Sequence, residues 1–394
     1  MYDHLGGRKR LPGTRVLNLT RDPEGLPLKA QYTKAFEYSD CWVDDARLVV
    51  LNAVSARDNG AEILPRTDCK SLRQENGYWV VRVENTVSGQ SREIFAKAVV
   101  NAAGPWVNDV IGRVAGGNSS RLVKLVKGSH IIVPKFWHGQ QAYLIQNHDK
   151  RVIFINPYED DKALIGTTDI AYEGDPNNVS VDKGEIEYLL EAVNRYFEKP
   201  LQEEDVVASF SGVRPLFDDG NGNPSAITRD YVLDLDRSRG APLLNIFGGK
   251  ITTYRKLAEH AVQELKAIFP QMGPSWTAIE PLPGGDILDA NFDAFLLELQ
   301  HQYSFLPSDL VKHYARLYGT RATHIIGNAS HIKQLGNQFG PLLFEAELEF
   351  LVEYEWACCA DDVLKRRTKH GLIVNPDEVA QINEWFKNEH SKTV

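Results

Sequence analysis

A pair of glycines between an apolar run and a helix-forming run constrains this chain more than any other feature. Residues 242–247 predict a buried strand, Gly248 and Gly249 a tight turn, and residues 257–262 a helix. The helix start offers free N–H groups and the positive end of a dipole, and Lys250 adds charge. The turn can therefore bind an anionic ligand, although an ordinary strand-to-helix connection has the same pattern.

Length and composition limit the class of protein. The chain has 394 residues, a net charge of −9 and a hydrophobic fraction of 43%. This length predicts two or three domains with real cores, and the acidic balance argues against nucleic-acid binding. No run approaches the roughly 20 apolar residues of a membrane span. The four cysteines have no metal-ligand spacing, so we expect a reduced, cytoplasmic setting and no metal site.

The first part of the chain predicts an α/β arrangement. Residues 1–30, rich in glycine, proline and charge, predict a connecting loop. Asp44 and Asp45 begin an apolar helix that Gly60 ends. Strands are predicted at 61–64, 78–83 and 93–100. The last strand stops at residues 101–106, whose small side chains predict either strand–helix packing or close approach to a bound nucleotide.

The second part predicts an antiparallel sheet with one covering helix. That helix begins with a capping box of Asp182 and Glu185 and has a single apolar face. Strands are predicted at 125–133, 142–146, 152–156, 163–166, 206–210 and 231–235. After about Gly273 the pattern becomes helical and predicts a separate domain. Its helices are predicted at 308–318, 344–357 and 361–369, with a last one capped by Asn375.

Two arginines and a lysine are candidates for anion binding. Arg214 and Arg229 lie at turn-flanked ends of predicted strands. The arginine side chain suits two parallel hydrogen bonds with phosphate or carboxylate. Either residue alone is more typical of an exposed or ion-paired arginine. Together with Lys250, they would form an anion pocket if the fold brings the three together.

Other motifs have both a structural and a functional interpretation. His130 begins a strand, and a lone histidine is more often structural than catalytic. Residues 166–169 close a strand and predict a turn with side-chain-to-backbone bonds. Basic residues occur at 365–369, at the C-terminal end of a predicted helix, and at 8–10. Both clusters predict solvated faces, and contact with an anionic lipid surface is the functional alternative.

A Gly-x-Gly-x-x-Gly turn between a strand and a helix is missing from the sequence. Dinucleotide-binding domains normally begin with this turn, which holds the pyrophosphate. The α/β pattern therefore starts at what corresponds to the middle of such a domain. Either the fold is a different one, or the first part of the domain is absent.

Taken together, these motifs resemble those of the bacterial FAD-dependent aerobic glycerol-3-phosphate dehydrogenases, over essentially the whole chain. The matching segments are 2–6, 36–48, 101–106, 126–130, 166–169, 211–216, 227–231, 247–256 and 360–362. The resemblance implies an incomplete glutathione-reductase-type FAD domain at 31–115 and 236–273. It further implies an antiparallel-sheet substrate domain at 116–235 and a C-terminal helical bundle at 274–394.

The same resemblance implies an activity. Members of the family oxidise sn-glycerol 3-phosphate to dihydroxyacetone phosphate, with hydride transfer to FAD and electrons passing to quinone. Arg214 resembles a phosphate-binding arginine, Arg229 a substrate-orienting catalytic arginine, and Lys250 a catalytic lysine near the substrate hydroxyl, with His130 also at the substrate. Cofactor-binding positions by resemblance are Asn101, Ala102, Ala103, Gly104, Gly248, Gly249, Lys250, Ile251 and Thr252. A homodimer, cytoplasmic or peripheral on the inner face of the membrane, is also expected.

The sequence departs from the family at its beginning, where the glycine-rich fingerprint and a further arginine loop are expected. We therefore expect an N-terminally truncated enzyme that binds FAD weakly or not at all by itself. The related oxidase, which uses oxygen, and a non-catalytic remnant of the dehydrogenase are the alternatives. A related amine oxidase fits less well, because two arginines and a lysine suit a phosphorylated substrate.

Overall fold

The computed structural model describes residues 11–116, 121–217, 230–238 and 240–389, which divide between two units. Unit 1 comprises Met1–Trp42, Ser71–Val80 and Phe95–Glu264. Unit 2 comprises Val43–Lys70, Val81–Ile94 and Leu265–Val394.

The strand β7 (Val123–Pro134) organises the main sheet of unit 1, which is antiparallel. One edge of β7 pairs with β12 (Ala208–Phe217), and the other pairs with β10 (Lys162–Gly166) and then β11 (Ile170–Tyr172). Beyond β10 the sheet continues through β9 (Val152–Tyr158) to β8 (Tyr143–Gln146). The link between β10 and β11 therefore lies beside the middle of β7.

Helix α3 (Lys183–Tyr196) covers one face of this sheet. Alternate strand residues such as Ile131, Ile153 and Ile165 are fully buried and share a core with Leu189 of the helix. The predicted capping box of Asp182 and Glu185 is present at the helix start. Side chains alternate between the two faces of a strand, so the intervening residues form a second face on the other side of the sheet, which we call the open face.

A smaller sheet in unit 1 has the order β13–β14–β6, formed by β13 (Tyr231–Asp236), β14 (Leu243–Gly248) and β6 (Val99–Asn101). β14 runs parallel to β6 and antiparallel to β13. After β14 the chain forms a short 3-10 turn, Ile251–Thr253, and then α4 (Tyr254–Leu265). The strand–glycine–helix prediction is thereby confirmed. Beyond β6 lie α2 (Val107–Asp109) and a π-helical turn, Val110–Val114.

The remaining strands form a two-stranded sheet and a three-stranded sheet. β1 (Arg15–Asn18) pairs antiparallel with β2 (Lys34–Glu37), so the segment predicted to be a connecting loop contains a strand. β3 (Thr67–Glu75), β4 (Tyr78–Asn85) and β5 (Ser91–Ala96) form the three-stranded sheet, in which they are neighbours in chain order.

Unit 2 is mainly helical. Its core joins residues of successive helices, including Tyr314, Tyr318, Leu348 and Leu351. Its α-helices are α1 (Asp45–Asp58), α5 (Phe292–Gln302), α6 (Ser308–Tyr318), α7 (Ala322–Ile326), α8 (Glu345–Glu355) and α9 (Pro376–Glu389). Residues Asp362–Arg367 form a π-helix where an α-helix is predicted. No helix of the described residues is both long and apolar enough to cross a membrane.

Four predicted strands are wrong in place, extent or sheet. The strand predicted at 231–235 is present as β13, but it pairs with β14 in the smaller sheet and does not join the main antiparallel sheet. Residues 61–64 are not a strand; they connect α1 to β3. The apolar run 93–100 is divided between β5 and β6, which belong to different sheets, because the chain changes sheet at Lys97 and Ala98. The strand predicted at 206–210 begins at Ala208 and extends to Phe217, because its pairing with β7 outweighs the break that Gly212 and Pro215 suggest.

Candidate functional site

Arg214 lies on the open face of the main sheet. It occupies β12, and its guanidinium forms an ion pair with Asp169 and donates a hydrogen bond to Thr167 Oγ1 at 3.1 Å. Both partners come from the link between β10 and β11. Thus β12 on one edge of β7 supplies the cation, and the link on the other edge supplies the groups that hold it.

Two glycines lie opposite each other on the open face, one on β7 and one on β12. Gly128 of β7 lies directly opposite Gly212 of β12. A Cβ atom at Gly128 would lie 2.6 Å from both Arg214 Nη2 and Thr167 Oγ1, so the guanidinium passes over this glycine. At Gly212, an added Cβ atom meets no described atom within 4 Å. Gly128 and Gly212 therefore leave an open area of the sheet beside the arginine, which we call the open floor.

His130 borders the floor on the side away from Arg214. Its ring stacks on Phe210, the residue opposite it on β12, with ring centres 5.1 Å apart and an interplanar angle of 12°. On the other side the ring covers Gly166, where a Cβ atom would lie 2.0 Å from His130 Cδ2. Phe210 and Gly166 together restrict the orientation of the imidazole.

A buried polar network beneath the floor fixes the two strands and the link. Ser129 and Ser211 point to the helix-covered face, and their hydroxyl oxygens are 2.6 Å apart. Glu185 of α3 accepts hydrogen bonds from the hydroxyls of Ser129, at 2.7 Å, and Thr168, at 2.8 Å. Thr168 lies between the two residues that hold Arg214. The network thereby anchors the link from below.

Lys127 supplies the positive charge of this network. Its Nζ atom lies 2.7 Å from Glu185 Oε2 and 3.1 Å from Asp182 Oδ2. Burial alone would lower the pKa of Lys127, but its hydrogen bonds with Glu185 and Asp182 raise the pKa above its ordinary value. The hydrogen bond from Lys127 lowers the pKa of Asp182. The lysine is therefore charged and structural.

The smaller sheet supplies a second group of candidate residues. Asn101 ends β6 and lies opposite Asn245 of the parallel strand β14. Its amide donates hydrogen bonds to Asn245 Oδ1 at 2.9 Å and to the carbonyl oxygen of Val107 at 3.0 Å. Both asparagines are buried, so Asn101 fixes the start of the segment that includes Ala102, Ala103 and Gly104.

Gly248 and Gly249 bring the smaller sheet close to β12. They have φ angles of +75° and +110°, which only glycine adopts readily. A Cβ atom at Gly248 would lie 2.9 Å from the carbonyl oxygen of Asp230 and 3.7 Å from that of Pro215. One at Gly104 would lie 4.0 Å from Pro215 Cγ. The two glycine segments therefore meet at the residue that follows Arg214.

Lys250, Ile251 and Thr252 follow this junction with exposed side chains. No side-chain partner of the Lys250 amine occurs among the residues that the structure describes. Arg229, the second predicted arginine, lies outside the described residues. Arg214, His130 and the glycine segments thus gather in one unit, and Lys250 lies two residues from the junction.

The junction fits a nucleotide cofactor at the ends of two parallel strands. Ligands in α/β folds bind in the crevice beyond the carboxyl ends of such strands. β6 ends at Asn101, opposite Asn245, and β14 continues to Gly248. Each strand is followed by a helical turn with N–H groups at its start. The glycines also serve packing, because Gly249 lies against Leu257.

Sequence reasoning missed the groups that hold Arg214 in place. The sequence of residues 166–169 predicts only a local turn, yet Thr167 and Asp169 bind Arg214 across β7. Glu185 was assigned only to a helix cap, yet it also anchors the link. The signal available was the pairing of two short motifs, 127–130 and 211–214, each with a glycine in the same place.

The basic residues at 365–369 have partners within unit 2. Lys365 pairs with Asp361 and Arg366 with Asp362, Arg367 donates to the carbonyl oxygen of Glu355, and Lys369 pairs with Asp44. Lys369 is largely buried, so this run is not simply a solvated face. The second basic cluster, 8–10, lies outside the described residues.

A group with metal-ligand chemistry also occurs in unit 2. The ligand atoms of Cys358, Cys359 and Asp362 lie within 4.8 Å of one another. The Asp362 carboxylate, however, already binds Arg66 at 2.7 Å and Arg366 at 3.0 Å. Two cations on the only carboxylate of the group disfavour a metal ion there.

Comparison with known proteins identifies the family. The family described as "FAD dependent oxidoreductase" matches residues 2–255, and "C-terminal domain of alpha-glycerophosphate oxidase" matches residues 275–386. The D-erythritol 1-phosphate dehydrogenase of Brucella abortus is 61% identical over 98% of this chain and 77% of its own length. The aerobic glycerol-3-phosphate dehydrogenase of Escherichia coli is 46% identical over 98% and 76%.

A solved structure shows the same fold. The glycerol-3-phosphate dehydrogenase from Bacillus halodurans, complexed with FAD, superposes with a TM-score of 0.80 and 29% identity. The superposition covers 96% of this chain and 76% of that one. The expected fold class, with an FAD-domain part, an antiparallel sheet and a helical C-terminal domain, is thereby confirmed. The chain belongs to the FAD-dependent oxidoreductases of the glycerol-3-phosphate dehydrogenase type, and its cofactor is FAD.

Proposed function

We propose that this protein oxidises a secondary hydroxyl group of a short phosphorylated polyol. The observation that carries the proposal is Arg214, held by Asp169 and Thr167 beside an open glycine floor. A guanidinium has five N–H donors, and the described partners take two. The others can bind phosphate oxygens, and the floor leaves space for the carbon chain.

The residues of the chain divide the work as follows. Arg214 binds the phosphate, and Arg229 orients the substrate, as the family resemblance implies. Loss of the C2 hydride requires removal of the hydroxyl proton by a base within hydrogen-bond reach. Lys250 is our candidate for that base, acting as the neutral amine that accepts the proton, because its exposed side chain lies two residues from the junction of the two glycine segments. FAD, when bound, accepts the hydride.

We assign FAD binding to the two glycine segments of unit 1. One is Asn101, Ala102, Ala103 and Gly104, fixed by the buried amide of Asn101. The other is Gly248, Gly249, Lys250, Ile251 and Thr252, at the start of a helical turn. The division into FAD, substrate and C-terminal domains at the boundaries given above stays part of the proposal.

Two substrates satisfy the proposed site. sn-Glycerol 3-phosphate is the substrate expected from the resemblance, and the relative named D-erythritol 1-phosphate dehydrogenase supports a four-carbon substrate through its 61% identity. Both molecules have a secondary hydroxyl beside the phosphomethylene group. Steady-state rates with added FAD should show clear turnover of at least one of them, and little with unphosphorylated glycerol or erythritol. Equal rates for phosphorylated and unphosphorylated forms would refute the proposal.

Quinone is the proposed electron acceptor, in line with relatives that are named dehydrogenases. Oxygen is the second candidate, since residues 275–386 match a domain named after an oxidase. Reduction of a soluble quinone without peroxide would support quinone, and stoichiometric peroxide would support oxygen. Peripheral attachment to the inner face of the membrane and homodimerisation are the further expectations from the resemblance.

A further inference from the structure

Gly212 is the one position on the described floor where the sheet offers unused space directly beside Arg214. Its partner Gly128 is covered by the guanidinium, whereas a Cβ atom at Gly212 meets no described atom within 4 Å. Gly212 has no positive φ angle, so glycine is not required there by the backbone. A missing side chain in a strand interior, where it weakens the strand, then requires another explanation.

The space above Gly212 has defined borders along β12. Arg214 lies two residues ahead of it and Phe210 two residues behind, and all three face the same side of the sheet. Residues four apart in a strand are about 13 Å apart, before their side chains are counted. His130, stacked on Phe210, narrows the far end. The gap therefore suits a chain of a few carbons whose phosphate lies at Arg214.

We propose that Gly212 determines the length of polyol chain that the site accepts. This inference rests on the proposed function and adds the residue that sets substrate size. With the phosphate at Arg214, the carbons extend over Gly212 toward His130. A methyl group at position 212 would fill part of this gap and shorten the space left for the carbon chain. It would therefore disfavour a four-carbon polyol phosphate relative to a three-carbon one.

The test compares Gly212→Ala with the unchanged full chain, in the presence of FAD. Calorimetric binding is measured for inorganic phosphate, sn-glycerol 3-phosphate and D-erythritol 1-phosphate. We expect unchanged phosphate binding and a fall of at least about tenfold in the affinity ratio of the four-carbon to the three-carbon compound, the size of effect that one methyl group produces in a fitted pocket. Gly212→Ser should have the same effect if the alanine variant is poorly folded.

Two further glycines serve as matched controls. Gly273→Ala also adds a Cβ atom that meets nothing described within 4 Å, but in unit 2, and should change no affinity. Gly128→Ala forces Arg214 to move and should weaken the binding of all three ligands, inorganic phosphate included.

The outcomes separate the inference from the proposed function. If the unchanged chain binds neither polyol phosphate, the proposed function fails. If it binds them and Gly212→Ala leaves their ratio unchanged, the inference alone is overturned. A loss of inorganic phosphate binding in the folded Gly212→Ala variant would also overturn it, because position 212 would then act through the anion site.

Discussion

Arg214 and Asp169 form an ion pair that crosses strand β7, with the cation on one edge and the carboxylate on the other. The pair is partly exposed, and its geometry depends on the glycine between the two edges. A single exposed ion pair contributes little to stability. Its value lies in orienting the guanidinium, which passes over Gly128 beside the open floor.

Replacing Arg214 should impair substrate binding more than folding. Arg214→Lys keeps the charge but loses the paired donors, so kcat/KM for the polyol phosphate should fall about 10- to 100-fold. The thermal midpoint should change little. Asp169→Asn should have a smaller effect in the same direction, because Thr167 still holds the guanidinium. The idea is wrong if Arg214→Lys retains the original kcat/KM.

Phe210 should orient His130 through ring stacking. Phe210→Leu removes an aromatic contact of about 0.5–1.5 kcal/mol, so turnover should fall about 2- to 10-fold, and Phe210→Tyr should retain it. Phe154→Leu is the matched control. Phe154 lies on the same cross-strand row, and its exposure of 44% resembles the 46% of Phe210. Equal losses in both leucine variants would show a general effect of apolar area rather than positioning.

Removing the buried charge of Glu185 should destabilise unit 1. Glu185→Gln leaves Lys127 buried with only one carboxylate nearby, so the free energy of unfolding should fall by about 3–5 kcal/mol. Glu187→Gln, on the exposed side of the same helix, is the control and should cost almost nothing. The double variant Lys127→Met, Glu185→Leu should be less destabilised than the single one. Denaturant unfolding measures all three.

His370 should make unit 2 sensitive to acid. Burial, with a contribution from the charge of His313, lowers the pKa of His370 from 6.5 to about 3, and Glu347 opposes the shift. Between pH 6.5 and about pH 3, the imidazole is therefore protonated in the unfolded chain and neutral in the folded chain. Stability should be complete above pH 6.5 and fall toward pH 3 by about 1.4 kcal/mol per pH unit from this group.

The measurement for this prediction is denaturant unfolding at several pH values. His370→Gln should flatten the decline between pH 6 and 4, whereas His331→Gln, at an exposed position, should leave it unchanged. If the free energy of unfolding of His370→Gln falls as steeply between pH 6 and 4 as that of the unchanged chain, other groups cause the acid sensitivity.

Local patterns predicted most elements of this fold. The Asp182–Glu185 capping box, the glycine turn after β14 and the helix Ser308–Tyr318 all depend on residues close in sequence, and all are present. The division of the run 93–100 could not be predicted, because its two halves join different sheets and no neighbouring residue indicates which strand each half pairs with.

The site shows the same distinction. Arg214 and His130 could be selected from residue type, but their partners Asp169 and Phe210 depend on strand register. Register is set by pairing across the sheet, which one strand alone does not encode. The buried role of Glu185 likewise required α3 to pack against β7. Long-range pairing therefore supplied what periodicity and motifs could not.

Anaerobic reduction of added FAD tests the central claim most directly. The full chain with FAD is mixed with sn-glycerol 3-phosphate or D-erythritol 1-phosphate, and loss of the visible flavin absorbance is followed with the Arg214→Lys variant in parallel. We predict rapid loss with at least one polyol phosphate, much slower loss in the variant, and none with the unphosphorylated polyols. Reduction that is equally fast with glycerol, or unaffected by Arg214→Lys, would contradict phosphate recognition at this site.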